Sequence, residues 1–164
     1  LHVSSLFVST KTAAHNPETG RISDLDQLVW LLQDQTLMTV PLTDSVKSVT
    51  ITVIPSKYPE SLEQDKGNPI YMGIKSPDMC LFCESIKGQP MLKLKEGNVL
   101  DLYNQAELVK PFLFYHIMTG STSTFESVAF PGSFIASSKK GKPIVLTSDQ
   151  GKHYNTNFHL DLKN

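Results

Sequence analysis

Cys80 and Cys83 are the residues with the clearest chemical potential in this chain, since a Cys-x-x-Cys spacing can serve redox exchange or supply half of a zinc site. A zinc site needs two further ligands at matching spacing, and the flanking sequence offers none. Met79-Cys80-Leu81-Phe82-Cys83 reads as strand interior, where residues three apart point to opposite faces. The two thiols are therefore expected to diverge, stay reduced and act as small hydrophobes.

The five histidines, His2, His15, His116, His153 and His159, have no metal-ligand spacing. His116 closes the aromatic run Phe112-Leu113-Phe114-Tyr115, which suits a half-buried structural ring. His153 and Tyr154 fall in an expected loop, where a binding role fits. Ser121 and Ser123 lack the flanking glycines of a nucleophile elbow, and the sequence contains no phosphate-cradling glycine loop. Asp24 and Asp26 are read as a solvated strand end, because glycosidase carboxylates come from separate segments across a cleft. Lys139, Lys140 and Lys142 form a basic turn, either a soluble hairpin tip or a partner contact. No catalytic residue, metal site or cofactor is expected, and a compact domain without chemistry favours binding through its loops.

The elements that would carry these loops are short. Runs rich in β-branched, aromatic and leucine residues are bounded by Pro, Gly, Asn, Asp or Ser. Strands are expected at 25–32, 37–41, 49–54, 70–74, 79–84, 91–94, 99–103, 111–116, 122–128, 133–137, 143–147 and 158–162. In Val49-Thr50-Ile51-Thr52-Val53 the apolar residues share one face. Segments 28–41, 79–94 and 124–137 each read as strand, turn, strand, a rough three-fold pattern. Residues 1–20 lack periodicity and are expected to be a flexible leader ahead of one domain spanning 21–164.

The chain's 164 residues suit one domain, and its net charge of −1 gives no global basic field for nucleic acid. The longest apolar run near the N-terminus, Leu6-Phe7-Val8, is too short for a signal-peptide core or a membrane span. Two cysteines and the lack of an Asn-x-Ser/Thr sequon suit synthesis in the cytosol.

Phe125-Glu126-Ser127, Pro131 and Phe134-Ile135-Ala136 resemble the signature of the interleukin-1 family. Ser133 departs from it, because close relatives carry tryptophan there. Leu28-Val29-Trp30, Tyr58-Pro59-Glu60, Tyr71-Met72-Gly73-Ile74 and Lys110-Pro111-Phe112 are similar to the interleukin-36 branch. The resemblance implies an all-β fold, a β-trefoil of about twelve strands in which three hairpins cap a six-stranded barrel. It implies a monomeric, pro-inflammatory cytokine that is cytoplasmic before release and secreted without a signal peptide. Its partners would be the interleukin-36 receptor and the interleukin-1 receptor accessory protein, with neither nucleic acid nor membrane insertion involved. Receptor contacts are expected at Lys139, Lys140, Lys152, His153 and Tyr154. The branch's aliphatic-x-Asp motif matches Ile22-Ser23-Asp24 and places processing between Thr12 and Ala13. A receptor antagonist of the same family, or a trefoil that binds carbohydrate or heparin, is the alternative. Net charge −1 argues against the heparin binder, and a single tryptophan, Trp30, argues against a lectin.

Overall fold

The computed structural model describes residues 16–149 and 153–163. Twelve strands run in chain order: β1 (Glu18–Asp24), β2 (Leu28–Gln33), β3 (Thr36–Pro41), β4 (Thr50–Pro55), β5 (Asn68–Lys75), β6 (Met79–Ile86), β7 (Gln89–Glu96), β8 (Leu113–Thr119), β9 (Thr122–Ser127), β10 (Phe134–Ala136), β11 (Val145–Thr147) and β12 (Phe158–Lys163). A five-residue helix, α1 (Val99–Tyr103), lies between β7 and β8.

Antiparallel pairing closes a ring. β1 pairs β4, β4 pairs β5, β5 pairs β8, β8 pairs β9, β9 pairs β12, and β12 returns to β1. These six strands form the barrel. The hairpins β2–β3, β6–β7 and β10–β11 branch from β1, β5 and β9 in turn. The result is a β-trefoil, and closure leaves the barrel without a free edge. The three-fold pattern read from sequence is right for 28–41 and 79–94. Its third member is displaced, because the capping hairpin is β10–β11 while 124–137 joins a barrel strand to half a cap.

The barrel interior is filled by Trp30, Ile51, Met72, Leu81, Phe114, Phe125 and Phe158, all fully buried. Trp30 meets Phe158 edge to face, with ring centroids 5.5 Å apart. At roughly 1.5–3 kcal/mol for each fully buried large side chain, this cluster supplies the main drive for closure. Gly73 permits close approach at a branch point: a Cβ there would lie 2.6 Å from the Met79 carbonyl oxygen.

A second cluster lies on the barrel's outer face, where Ile54, Tyr71, Cys80, Leu113 and Tyr115 pack with Val99 and Tyr103. Here the strand expected over 99–103 is a helix. Val99-Leu100-Asp101-Leu102-Tyr103 has strand-compatible composition, but the Asn98 side chain accepts from the Leu100 N–H at 2.8 Å and caps a helical turn. Val99 and Tyr103, four apart, then face the barrel together. This cover also explains why β4 is buried on both faces despite its alternation.

Strand ends shift by up to three residues, and the N-terminal end differs most. β1 begins at Glu18, inside the stretch read as leader, because Glu18-Thr19-Gly20 is paired with β4 on one side and Thr19 onward with β12 on the other. β1 is not among the expected strands, and the strand expected over 25–32 starts only at Leu28, because a turn with Gln27 at φ 65° follows Asp24.

Candidate functional site

Lys139, Lys140 and Lys142 lie between β10 and β11 and are exposed. Their backbone is anchored on β3. Thr39, fully buried, donates from Oγ1 to the Lys139 carbonyl at 2.9 Å and to the Lys142 carbonyl at 3.1 Å. The Thr39 N–H donates to Lys142 at 3.0 Å, and the Gly141 N–H donates back to Thr39 at 2.6 Å. Gly141, at φ 78°, supplies the left-handed position of this turn. The lysine side chains thus project from a fixed backbone.

The second candidate segment docks beside the first. Ser137 and Asn155 exchange two backbone hydrogen bonds, 2.9 and 2.8 Å, in an isolated antiparallel bridge. Its sense brings the chain entering Lys139 alongside His153 and Tyr154. His153 is exposed and Tyr154 half-buried. Lys152, Thr12 and Ala13 lie outside the described residues.

A groove of about 620 Å³ opens where the three capping hairpins meet. Its walls include Gln35 and Thr36 from the β2–β3 hairpin, Gln89 and Lys93 from β7, and Pro143 to Asp149 around β11, with Tyr154 at the margin. Ser133 also lines it, at the position where the resemblance places a tryptophan. The serine is buried, and its carbonyl accepts from the Ser127 N–H at 2.8 Å.

Ile22 and Asp24 are structural. Ile22 is buried in the barrel, opposite Leu160 of β12. Asp24, expected as a solvated strand end, is 1% exposed. Its Oδ1 accepts from the N–H groups of Asp26 and Leu28, both at 2.9 Å, and its carbonyl accepts from Gln27 at 3.0 Å. The carboxylate fixes the β1–β2 turn, while Asp26 is exposed. The signal was present in the sequence: an Asp before a short polar break commonly bonds its own backbone two residues on.

Cys80 and Cys83 are free, and the strand geometry separates them, Cys80 into the outer cluster and Cys83 into the barrel. Burial pushes each thiol up to about 11, which keeps both neutral and unreactive. His116 stacks on Phe125 at 5.1 Å, with Nε2 2.7 Å from Ser123 Oγ. Burial lowers its pKa. The pair has the atoms of a nucleophile and its base, but Ser123 is 2% exposed and no substrate can reach it. Sequence reasoning missed Glu126, whose Oε2 accepts from Lys66 Nζ at 3.2 Å and from the Gly132 N–H at 2.8 Å. It ties the Pro131-Gly132 turn to the segment before β5.

A closed trefoil that holds two exposed loop segments side by side is a scaffold for binding. A family model described as Interleukin-1 / 18 matches residues 42–160. Human interleukin-36 alpha is 52% identical over 147 residues, covering 89% of this chain and 93% of that protein. Mouse interleukin-36 alpha is 45% identical over 148 residues, with 90% and 92% covered. The nuclear magnetic resonance structure of the pro-inflammatory cytokine interleukin-36alpha superimposes with a TM-score of 0.78 at 50% identity, covering 90% of this chain and 94% of that one. The chain belongs to the interleukin-1 family, in its interleukin-36 branch.

Proposed function

We propose that this protein is a pro-inflammatory cytokine that binds the interleukin-36 receptor and then recruits the interleukin-1 receptor accessory protein. Within the branch its motifs place it nearest the gamma member. It acts as a monomer, is extracellular once released without a signal peptide, is cytoplasmic before release, and catalyses nothing.

The observation that carries the reading is the Ser137–Asn155 bridge, which joins the lysine turn and the Tyr154 loop into one face. The receptor contacts in this reading are Lys139, Lys140, His153 and Tyr154, together with Lys152, which lies outside the described residues. Tyr154 is the anchor, since half-buried aromatic rings at a polar rim concentrate binding energy.

Trimming between Thr12 and Ala13 raises potency in this reading. The cut falls ahead of β1, which starts at Glu18, so the barrel keeps every strand. An uncut tail beside a receptor face must be ordered or displaced on binding, at a cost in affinity.

The test uses reporter cells bearing both receptor chains. The chain starting at Ala13 is expected to signal at lower concentration than the full chain, and Tyr154→Ala is expected to lose potency with its melting temperature unchanged. A chain that binds, gives no signal and blocks an agonist is an antagonist, which overturns the agonist reading.

A further inference from the structure

The ion pairs found among the described residues both involve Lys66, so Lys139, Lys140 and Lys142 present unpaired charge. Three exposed ammonium groups on one anchored turn make a local cation cluster on a chain of net charge −1. Thr39 holds that turn to β3, the strand whose first residues, Thr36 and Leu37, line the hairpin groove. Pro143, the residue after Lys142, lines the groove as well and bridges Met38 of β3. The cations therefore stand at the margin of a concave surface. Within it are the amides of Gln35 and Gln89, the hydroxyls of Thr36 and Ser148, and the ring of Tyr154. Asp149 is the acidic residue in the lining, and Lys93 offsets its charge.

We propose that this face binds a sulfated polysaccharide. The sugar rings lie in the groove, where amide and hydroxyl groups exchange hydrogen bonds with ring hydroxyls and Tyr154 supplies a flat apolar platform. The sulfates extend to Lys139, Lys140 and Lys142. Single-stranded nucleic acid fits less well, because it needs several stacking aromatics and the groove has one. An anionic membrane fits less well, because the surface is concave where a bilayer is flat. The low overall charge makes retention depend on this cluster and not on a diffuse field. The inference stands apart from the receptor reading, although the shared face means that bound polysaccharide and receptor exclude each other.

The experiment measures binding of the full chain to heparin across a salt series. The triple variant Lys139→Ala, Lys140→Ala, Lys142→Ala is compared with a control of equal charge change, Lys75→Ala, Lys110→Ala, Lys163→Ala. The first triple is expected to weaken binding about tenfold or more and to flatten the plot of log affinity against log salt by about 2, from three lost contacts at about 0.7 counterion each on a flexible polyanion. The control should stay within about twofold, and fully desulfated heparin should not bind. On the unaltered chain, heparin should protect Lys139, Lys140 and Lys142 from acetylation, a readout that needs no variant to fold. Equal loss in both triples, equal binding of desulfated heparin, tighter binding of a single-stranded oligonucleotide or of phosphatidylserine vesicles, or unprotected lysines would overturn the proposal.

Discussion

Cys80 and Cys83 stand three residues apart on β6 and face opposite sides of it, Cys80 toward α1 and Cys83 into the barrel. The strand's two-residue period makes the spacing that suggests redox chemistry the one that forbids it. Burial raises both thiols to about 11, so the fold favours their neutral form. The stability this contributes is intact below the unfolded thiol pKa and lost as pH rises toward 11. Native protein at pH 7.5 is expected to resist iodoacetamide and to take up two labels after denaturation. Rapid labelling of either thiol in the native state contradicts the burial argument.

Asp24→Ala removes an acceptor shared by two backbone N–H groups in a buried turn. A loss of about 1–3 kcal/mol is expected in urea unfolding. Asp24→Asn retains one oxygen and should lose less. Equal stability of all three proteins contradicts the structural role assigned to this carboxylate.

Thr39→Val keeps the shape of the side chain but leaves the carbonyls of Lys139 and Lys142 without their hydroxyl donor. The expected cost is about 1–2 kcal/mol, with faster hydrogen exchange at Gly141 and Lys142. Unchanged exchange there means that the turn does not depend on Thr39.

Trp30 is the chain's one tryptophan and is fully buried against Phe158. Its fluorescence is expected to be blue-shifted in the native state and to move red in step with circular dichroism on unfolding. Trp30→Ala should cost about 3–5 kcal/mol. Trp30→Phe should cost less, because Trp30 Nε1 has no hydrogen-bond partner among the described residues and its removal relieves a buried donor.

His116 titrates below its ordinary value because burial penalises the imidazolium. The sign follows from linkage: the unfolded chain takes up the proton first, so stability falls as pH drops through about 6.5. His116→Gln preserves a partner for Ser123 and removes the titration. Its melting temperature should vary less between pH 7 and pH 5, and an unchanged slope assigns the acid sensitivity to other groups.

The sequence by itself determined the all-β class, most of the strands and most of the barrel core, because the alternation that marks a strand is local to it. Of Trp30, Leu81, Phe112, Phe114, Phe125 and Phe134, all expected inside from their runs, Phe112 and Phe134 are only half-buried and the other four are fully buried; the divergence of Cys80 and Cys83 followed from period two. The family signature lies in the contiguous stretch through Phe125, Pro131 and Phe134, so it too was legible. Tertiary structure decided what depends on distant partners. Glu18-Thr19-Gly20 is polar and becomes strand only because β4 and β12 pair with it from both sides. Val99 to Tyr103 is helical because Asn98 caps it and the outer face of β4 and β5 receives it. The segments carrying Lys139 and His153 run side by side only through the Ser137–Asn155 bridge, and the groove exists only where three hairpins converge. Local periodicity carries no information about which segments will be neighbours; burial of a shared core fixes that, and with it the face that binds.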